Sequence, residues 1–197
     1  MTTPEPDLGP LDGREIVVGV TGGIAAYKTA HLVSRLVQAG AGVSVVMTEA
    51  AKRFVGPLTF QTLSGRPVSS DLFAAPESHR AEHVGLAERA EIVVVAPATA
   101  DILAKLAHGI ADDLLSTFLL ATDAPLVVAP AMNARMWQHP AVQANCEVLR
   151  SRSVRFVGPV EGYLACGTVG EGRMAEPEEI LTALAQIAAE TPPGNKK

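Results

Sequence analysis

Short, nearly unbroken apolar runs alternate along the chain with stretches whose apolar residues recur every three or four positions. Residues 16–20, 43–48, 92–96 and 126–129 are runs rich in β-branched side chains, and 154–158 is a weaker fifth. An unbroken run, rather than strict alternation, marks a strand covered on both faces. Between the runs, 25–39 places Ala26, Ala30, Val33 and Val37 on one face, and 101–108, 113–121, 141–150 and 178–189 show similar spacing. These stretches predict helices. A short helix over 83–90 precedes the third run, and Gly40-Ala41-Gly42 reads as the C-terminal cap of the first helix. Strand and helix in alternation specify an α/β fold, a doubly wound parallel sheet between two helical layers.

Such sheets bind ligands beyond the carboxyl ends of their strands. That directs attention to the loops at 21–28, 48–54, 97–101 and 130–137, all rich in glycine, small or polar residues. Residues 160–176 hold four glycines without clear periodicity and are expected to form a mobile flap. Residues 1–13 and 191–197 read as tails, which leaves one domain over 14–190.

In the first loop, Thr21-Gly22-Gly23-Ile24-Ala25 joins a strand to a helix start, where free backbone N–H groups favour an anion. The dinucleotide pattern G-x-G-x-x-G is absent. The P-loop pattern nearly fits 22–29, but Tyr27 stands where its second glycine must be and would block the close approach to phosphate.

Composition narrows the field further. Of 197 residues 48% are apolar and only 4% aromatic, so the core must be built from Ala, Val, Leu and Ile. A formal charge of −5 with no basic run argues against nucleic acid as a partner. The longest apolar stretch, 114–132, is interrupted by Asp123, Pro125 and Pro130, so no membrane span is expected. The first residues lack the basic and apolar regions of a secretion signal. Cys146 and Cys166 have no metal-binding spacing, and the expectation is a cytoplasmic protein with free thiols and no metal. Cys146 sits in a helical stretch as a small buried apolar residue, whereas Cys166 lies among glycines. Asp112-Asp113 precedes Leu114-Leu115 and reads as a helix start rather than a catalytic pair.

Three further segments carry the functional signal. Pro130-Ala131-Met132-Asn133-Ala134-Arg135-Met136-Trp137 follows the fourth strand, Ala165-Cys166-Gly167-Thr168-Val169-Gly170-Glu171-Gly172-Arg173-Met174 lies in the expected flap, and His83 opens the short helix. Together with Gly22-Gly23-Ile24-Ala25, they resemble the homo-oligomeric flavin-containing cysteine decarboxylases over about 16–190. The resemblance implies a flavodoxin-like subunit that binds FMN. Gly22, Gly23 and Ile24 would line its phosphate and ribityl chain, Thr48 with Thr99, Ala100, Asp101 and Ile102 would close the cradle, and Ala131 would touch the flavin. His83 and Cys166 would be catalytic, and Asn133 and Met136 would contact substrate. The implied reaction is decarboxylation of 4′-phosphopantothenoylcysteine to pantetheine 4′-phosphate in coenzyme A synthesis, through a thioaldehyde and an ene-thiol. A homotrimer or dodecamer is implied, as is a ligase that supplies the substrate, either a separate protein or the remainder of a longer chain. Relatives that oxidatively decarboxylate peptidyl cysteines lack the flap cysteine, and regulatory members carry acidic extensions. Cys166 and the lack of such an extension favour the coenzyme A reaction.

The residue types fit this chemistry. Loss of carbon dioxide needs an electron sink that side chains do not supply. Asn133 offers N–H donors to a carboxylate, although Asn after a strand is also a common helix N-cap. His83 is the histidine whose local setting suits proton handling, while His31, His79, His108 and His139 read as ordinary surface or helix residues. A thiol at Cys166 remains largely protonated at neutral pH and can donate a proton. Met136 taken alone reads as core filling.

Overall fold

The computed structural model describes residues 7–73, 81–164, 167 and 169–191. Five parallel strands form its sheet: β1 (Glu15–Val20), β2 (Gly42–Met47), β3 (Ile92–Ala98), β4 (Leu126–Pro130) and β5 (Arg155–Phe156), in the spatial order β2-β1-β3-β4-β5. This is the flavodoxin-like order, in which the chain runs outward in opposite directions from neighbours β1 and β3. The connecting helices are α1 (Ala26–Gln38), α2 (Pro57–Ser64), α3 (Glu82–Arg89), α4 (Ala100–His108), α5 (Leu114–Ala121), α6 (Ala134–Trp137), α7 (Pro140–Ser151) and α8 (Pro177–Glu190).

Each face of the sheet carries its own core. Val18, Val20 and Val94 pack with Leu32 and Leu36 of α1 and with Leu181 and Leu184 of α8. Val17, Val93 and Val95 face the other way, onto Leu103 of α4, Phe118 of α5 and Leu149 of α7. Strands buried on both faces explain why the apolar runs lack alternation. Cys146 lies in the second core at 0% exposure, and burial pushes its thiol pKa up, as suits an inert structural residue.

The helix start expected at Asp112-Asp113 is a capping box. Asp113 Oδ1 accepts from Ser116 N at 2.7 Å, and Ser116 Oγ accepts from Asp113 N at 3.1 Å. Asp112 pairs instead with Lys105, 2.8 Å away. Asp113→Ala is expected to lower the unfolding free energy by about 1 kcal/mol, read as a lower urea midpoint at unchanged slope. An unchanged midpoint would show that the cap contributes nothing.

Besides the short helices α2 and α6, which the sequence pattern did not mark, the structure departs from it in four places. Strand β3 continues past Ala96 through Pro97 to Ala98, with a register shift against β4 between Val95 and Ala98. Pro97 has no N–H for the ladder, and side chains satisfy the carbonyls there: Thr29 Oγ1 donates to Ala96 O and Thr21 Oγ1 to Pro97 O, each at 2.7 Å. Strand β5 is two residues rather than five. Residues 160–176 contain an antiparallel hairpin, β6 (Val160–Tyr163) with β7 (Val169–Arg173), where an irregular flap was expected. Its glycines erase the side-chain alternation that would have revealed it. Finally, residues 7–13, assigned to a tail, include a short turn of 3-10 helix (Gly9–Leu11) whose Leu11 is fully buried in the first core. Residues 192–197 lie outside the described residues. Among the described residues, no helix is long and apolar enough to cross a membrane, and no cluster of metal-binding side chains is present.

Candidate active site

A cavity of about 570 Å³ opens at the carboxyl ends of β1, β3 and β4, where the strand order reverses. Its floor is the β1–α1 loop. Gly23 N donates to Thr21 O at 2.9 Å, Ala26 N to Gly23 O at 3.0 Å, and α1 begins after Ala25 with no side-chain cap. Helix N-termini without caps present N–H groups and the positive end of the helix dipole to a ligand. Gly22 permits this loop to lie against its neighbour, since a Cβ there would fall 2.4 Å from Ala50 Cβ. Thr21 Oγ1 also accepts from Thr99 N at 3.3 Å, tying the β1 and β3 loops into one cradle.

The wall is largely apolar, with Ile24, Ala131, Met132, Met136, Leu164 and Met174 on it. Asn133 stands at the N-cap of α6, its Oδ1 accepting from Arg135 N at 2.8 Å. Met136 lies one turn on and is 48% exposed, so it is a cavity residue and not core filling. Opposite, β7 rests on the Met132–Asn133 loop through a bond from Met132 N to Gly172 O at 2.9 Å. Gly172 has φ 152°, and a Cβ on it would lie 2.3 Å from Met132 O. Gly172→Ala is therefore expected to displace the hairpin and cost about 1–3 kcal/mol, seen as a lower thermal midpoint. An unchanged midpoint would mean that the hairpin tolerates the methyl group.

Of the residues expected to form the cofactor cradle, Gly22, Gly23, Ile24, Thr99, Ala100 and Ala131 line this cavity, as do Asn133 and Met136 from the expected substrate set. Thr48 lies in the adjoining loop, where its Oγ1 accepts from Ala51 N at 3.2 Å, and it does not reach the wall. Asp101 points outward to Lys105, 3.3 Å away, and Ile102 is buried in the second core. Helical rotation after Ala100 carries both off the cavity. His83 sits in the first turn of α3 outside the lining, with a buried Nδ1 that has no hydrogen-bond partner among the described residues. Cys166 lies outside the described residues.

Sequence reasoning assigned no site role to Tyr27, Lys28, Met132, Tyr163, Leu164, Gly172, Arg173 or Met174, all of which line the cavity. Lys28 Nζ donates to Glu176 Oε1 at 2.8 Å and lies 3.4 Å from Met174 O. The Lys28 bond, helped by Arg173 on the same carboxylate, holds the Glu176 carboxyl below its ordinary pKa. The signal for these residues was present. Lys28 lies within the window weighed as a phosphate loop, and Gly172-Arg173-Met174 closes the flap motif.

A 2-1-3-4-5 parallel sheet with an apolar cavity at its β1/β3 switch point, floored by a glycine loop that opens a helix, defines a flavodoxin-like cofactor-binding subunit. The chain belongs to the flavoprotein family, whose model matches residues 5–189. It is 53% identical over 171 residues to the coenzyme A biosynthesis bifunctional protein CoaBC of Bacillus subtilis (strain 168), covering 87% of this chain and 42% of that protein. The corresponding protein of Escherichia coli (strain K12) is 51% identical over 171 residues, again 87% of this chain and 42% of the relative. The chain thus spans about two fifths of the length of these curated relatives. Among solved structures, the FMN-dependent cysteine decarboxylase SpaF superposes with a TM-score of 0.80 at 35% identity, covering 91% of this chain and 99% of that one. A PPC decarboxylase mutant complexed with pantothenoylaminoethenethiol superposes with a TM-score of 0.83 at 28% identity, over 91% and 100%.

Proposed function

We infer that this protein is an FMN-dependent carbon–carbon lyase that decarboxylates 4′-phosphopantothenoylcysteine to pantetheine 4′-phosphate in coenzyme A synthesis. The observation that carries the reading is the cavity itself. It has the positive dipole end of α1, which carries no side-chain cap, for a phosphate, apolar walls for a flat ring system, and an amide at Asn133 for a carboxylate. The residues present therefore fit FMN, with Gly22, Gly23 and Ile24 toward its phosphate end and Ala131 toward its ring. Bound FMN supplies a two-electron sink next to the substrate, which the cysteine carboxylate needs before it can leave. The PPC decarboxylase mutant noted above carries a cysteine-to-serine change and holds an ene-thiol, which supports a cysteine as the group that completes reduction.

Each side chain has a distinct task in this reading. Asn133 orients the carboxylate through N–H donors without neutralising it. Met132, Met136 and Met174 exclude water around the thiol with polarizable, adaptable side chains. Cys166 returns a proton to the ene-thiol. His83, lying off the cavity of its own subunit, serves a cavity shared with another copy in a homotrimer or dodecamer. The exposure of Ile24 (60%), Tyr27 (61%) and Tyr163 (71%) around the mouth supports such an assembly. The reaction runs in the cytoplasm, where free thiols stay reduced, and a phosphopantothenate–cysteine ligase, fused or separate, supplies the substrate.

A second reading is an FMN-dependent decarboxylase of another cysteine substrate, favoured by the 35% identity to SpaF. Mass spectrometry of the products from purified protein and 4′-phosphopantothenoylcysteine separates the two. Pantetheine 4′-phosphate establishes the first reading, and no turnover of this substrate by FMN-loaded protein overturns it. A monomer in solution that turns over at the full rate would remove the shared-cavity role of His83.

A further inference from the structure

Lys28 and Arg173 are the charged side chains on the wall among the described residues, and both are cations. They share one counter-ion, since Lys28 Nζ and Arg173 Nη2 both donate to Glu176 Oε1. Two cations against one carboxylate leave an excess positive charge beside apolar walls. Because Arg173 is partly exposed, this excess charge is accessible to an anion that enters the same space.

The two cations are not equivalent. The Lys28 side chain is 11% exposed and has a second acceptor in Met174 O, so it is fixed in place. Arg173 is 41% exposed, and among the described residues Glu176 is its one partner. Most of the five N–H donors of its guanidinium therefore remain for a ligand. The neighbouring strand also makes room for its arm: a Cβ on Gly162 would fall 2.9 Å from Arg173 Cδ and 3.0 Å from its Nη1.

Given the functional reading above, on which this step rests, the substrate brings two anionic groups. One is a carboxylate that departs, and the other is a phosphate monoester that persists. A fixed cation on the departing carboxylate would stabilise the ground state more than the transition state and slow the loss of carbon dioxide. The neutral amide of Asn133 avoids that penalty. The phosphate keeps its charge throughout, so a cation there adds affinity without slowing chemistry, and the planar arginine fork matches phosphate oxygens. We propose that Arg173 determines specificity for the phosphate monoester end of the substrate, exchanging Glu176 for that phosphate while Lys28 remains with Glu176.

Arg173→Gln, loaded with FMN, tests this with 4′-phosphopantothenoylcysteine and its unphosphorylated counterpart, pantothenoylcysteine. The expected result is a KM for the phosphorylated substrate raised about 10- to 100-fold, with kcat and the turnover of pantothenoylcysteine lowered far less than that. Arg173→Lys should recover part of the preference, because it restores the charge but not the fork. A parallel loss on both substrates would overturn the proposal and place Arg173 on the common part of the substrate or in the packing of the hairpin. Retained preference in Arg173→Gln would put the phosphate elsewhere, and a variant purified without flavin absorbance would assign Arg173 to the phosphate of FMN. Wild-type protein inert toward both substrates would remove the decarboxylase reading and this proposal with it. Wild-type turnover combined with any of the preceding failures removes the role of Arg173 alone.

Discussion

Cys166→Ser is expected to release about one carbon dioxide per bound FMN at close to the wild-type rate in a single turnover. It is expected to yield no pantetheine 4′-phosphate, its product being lighter by two hydrogens, with further turnover only where dioxygen takes up the two electrons. The proposed reaction is redox-neutral overall, because the two electrons that would leave the substrate for bound FMN before decarboxylation would return to the ene-thiol after it. Carbon dioxide loss depends on the first transfer and on how the carboxylate is held, and neither needs a thiol. The return step needs a proton delivered to carbon as the electrons arrive. A cysteine with a pKa near 8.5 is protonated at neutral pH yet acidic enough to give the proton up. A serine hydroxyl has nearly the same shape and is far less acidic, so the chemistry stops at the ene-thiol. Mass spectrometry of product and carbon dioxide reads both halves at once. A normal yield of pantetheine 4′-phosphate would take Cys166 out of the reduction, and loss of carbon dioxide release would place it in the first half.

What the sequence made legible follows from how each feature is encoded. Strands β1 to β4 announce themselves because burial on both faces demands continuous apolar runs. The long helices do so because one buried stripe repeats every 3.6 residues. Helix α2 was not legible, since it buries Phe60 while leaving Leu58 73% exposed, which blurs the stripe. The β6–β7 hairpin was hidden for a different reason. Its Gly162, Gly170 and Gly172 are selected by contact with Arg173, Ala134 and Met132, and contacts across the fold leave no periodic trace.

The same division holds in the site. Gly22, Gly23 and Asn133 could be read locally because a tight loop and a helix cap are local needs. Asp101 and Ile102 were drawn into the cradle by adjacency in sequence, and the turn of α4 takes them out of it. The link from Lys28 to Glu176 spans 148 positions. Charge sharing of this kind depends on α1, β7 and α8 converging, and no spacing rule reports that.

Asn133→Asp is expected to cut decarboxylation roughly 10³-fold while leaving the fold and bound FMN intact. The substitution is informative because of the second task of this side chain. As the N-cap of α6, Asn133 uses its oxygen to accept from Arg135 N at 2.8 Å, and aspartate serves equally well in that position. Capping is therefore preserved, and the change falls on the other half of the group. In the proposed role, the amide that would donate to the substrate carboxylate becomes a second carboxylate. Two like charges about 4 Å apart at an effective dielectric near 20 repel by about 4 kcal/mol, and each 1.4 kcal/mol is a factor of ten in rate. FMN should remain, because the end of the cavity proposed for its phosphate is built by the Gly22–Gly23 loop and Thr99 rather than by α6. The measurement is carbon dioxide release per flavin, with flavin absorbance as the control. If Asn133→Asp kept the wild-type rate, Asn133 would have no part in holding the carboxylate, which would have to be held by another group on the same wall. A variant that lost FMN together with activity would show that α6 supports the cofactor as well as the substrate.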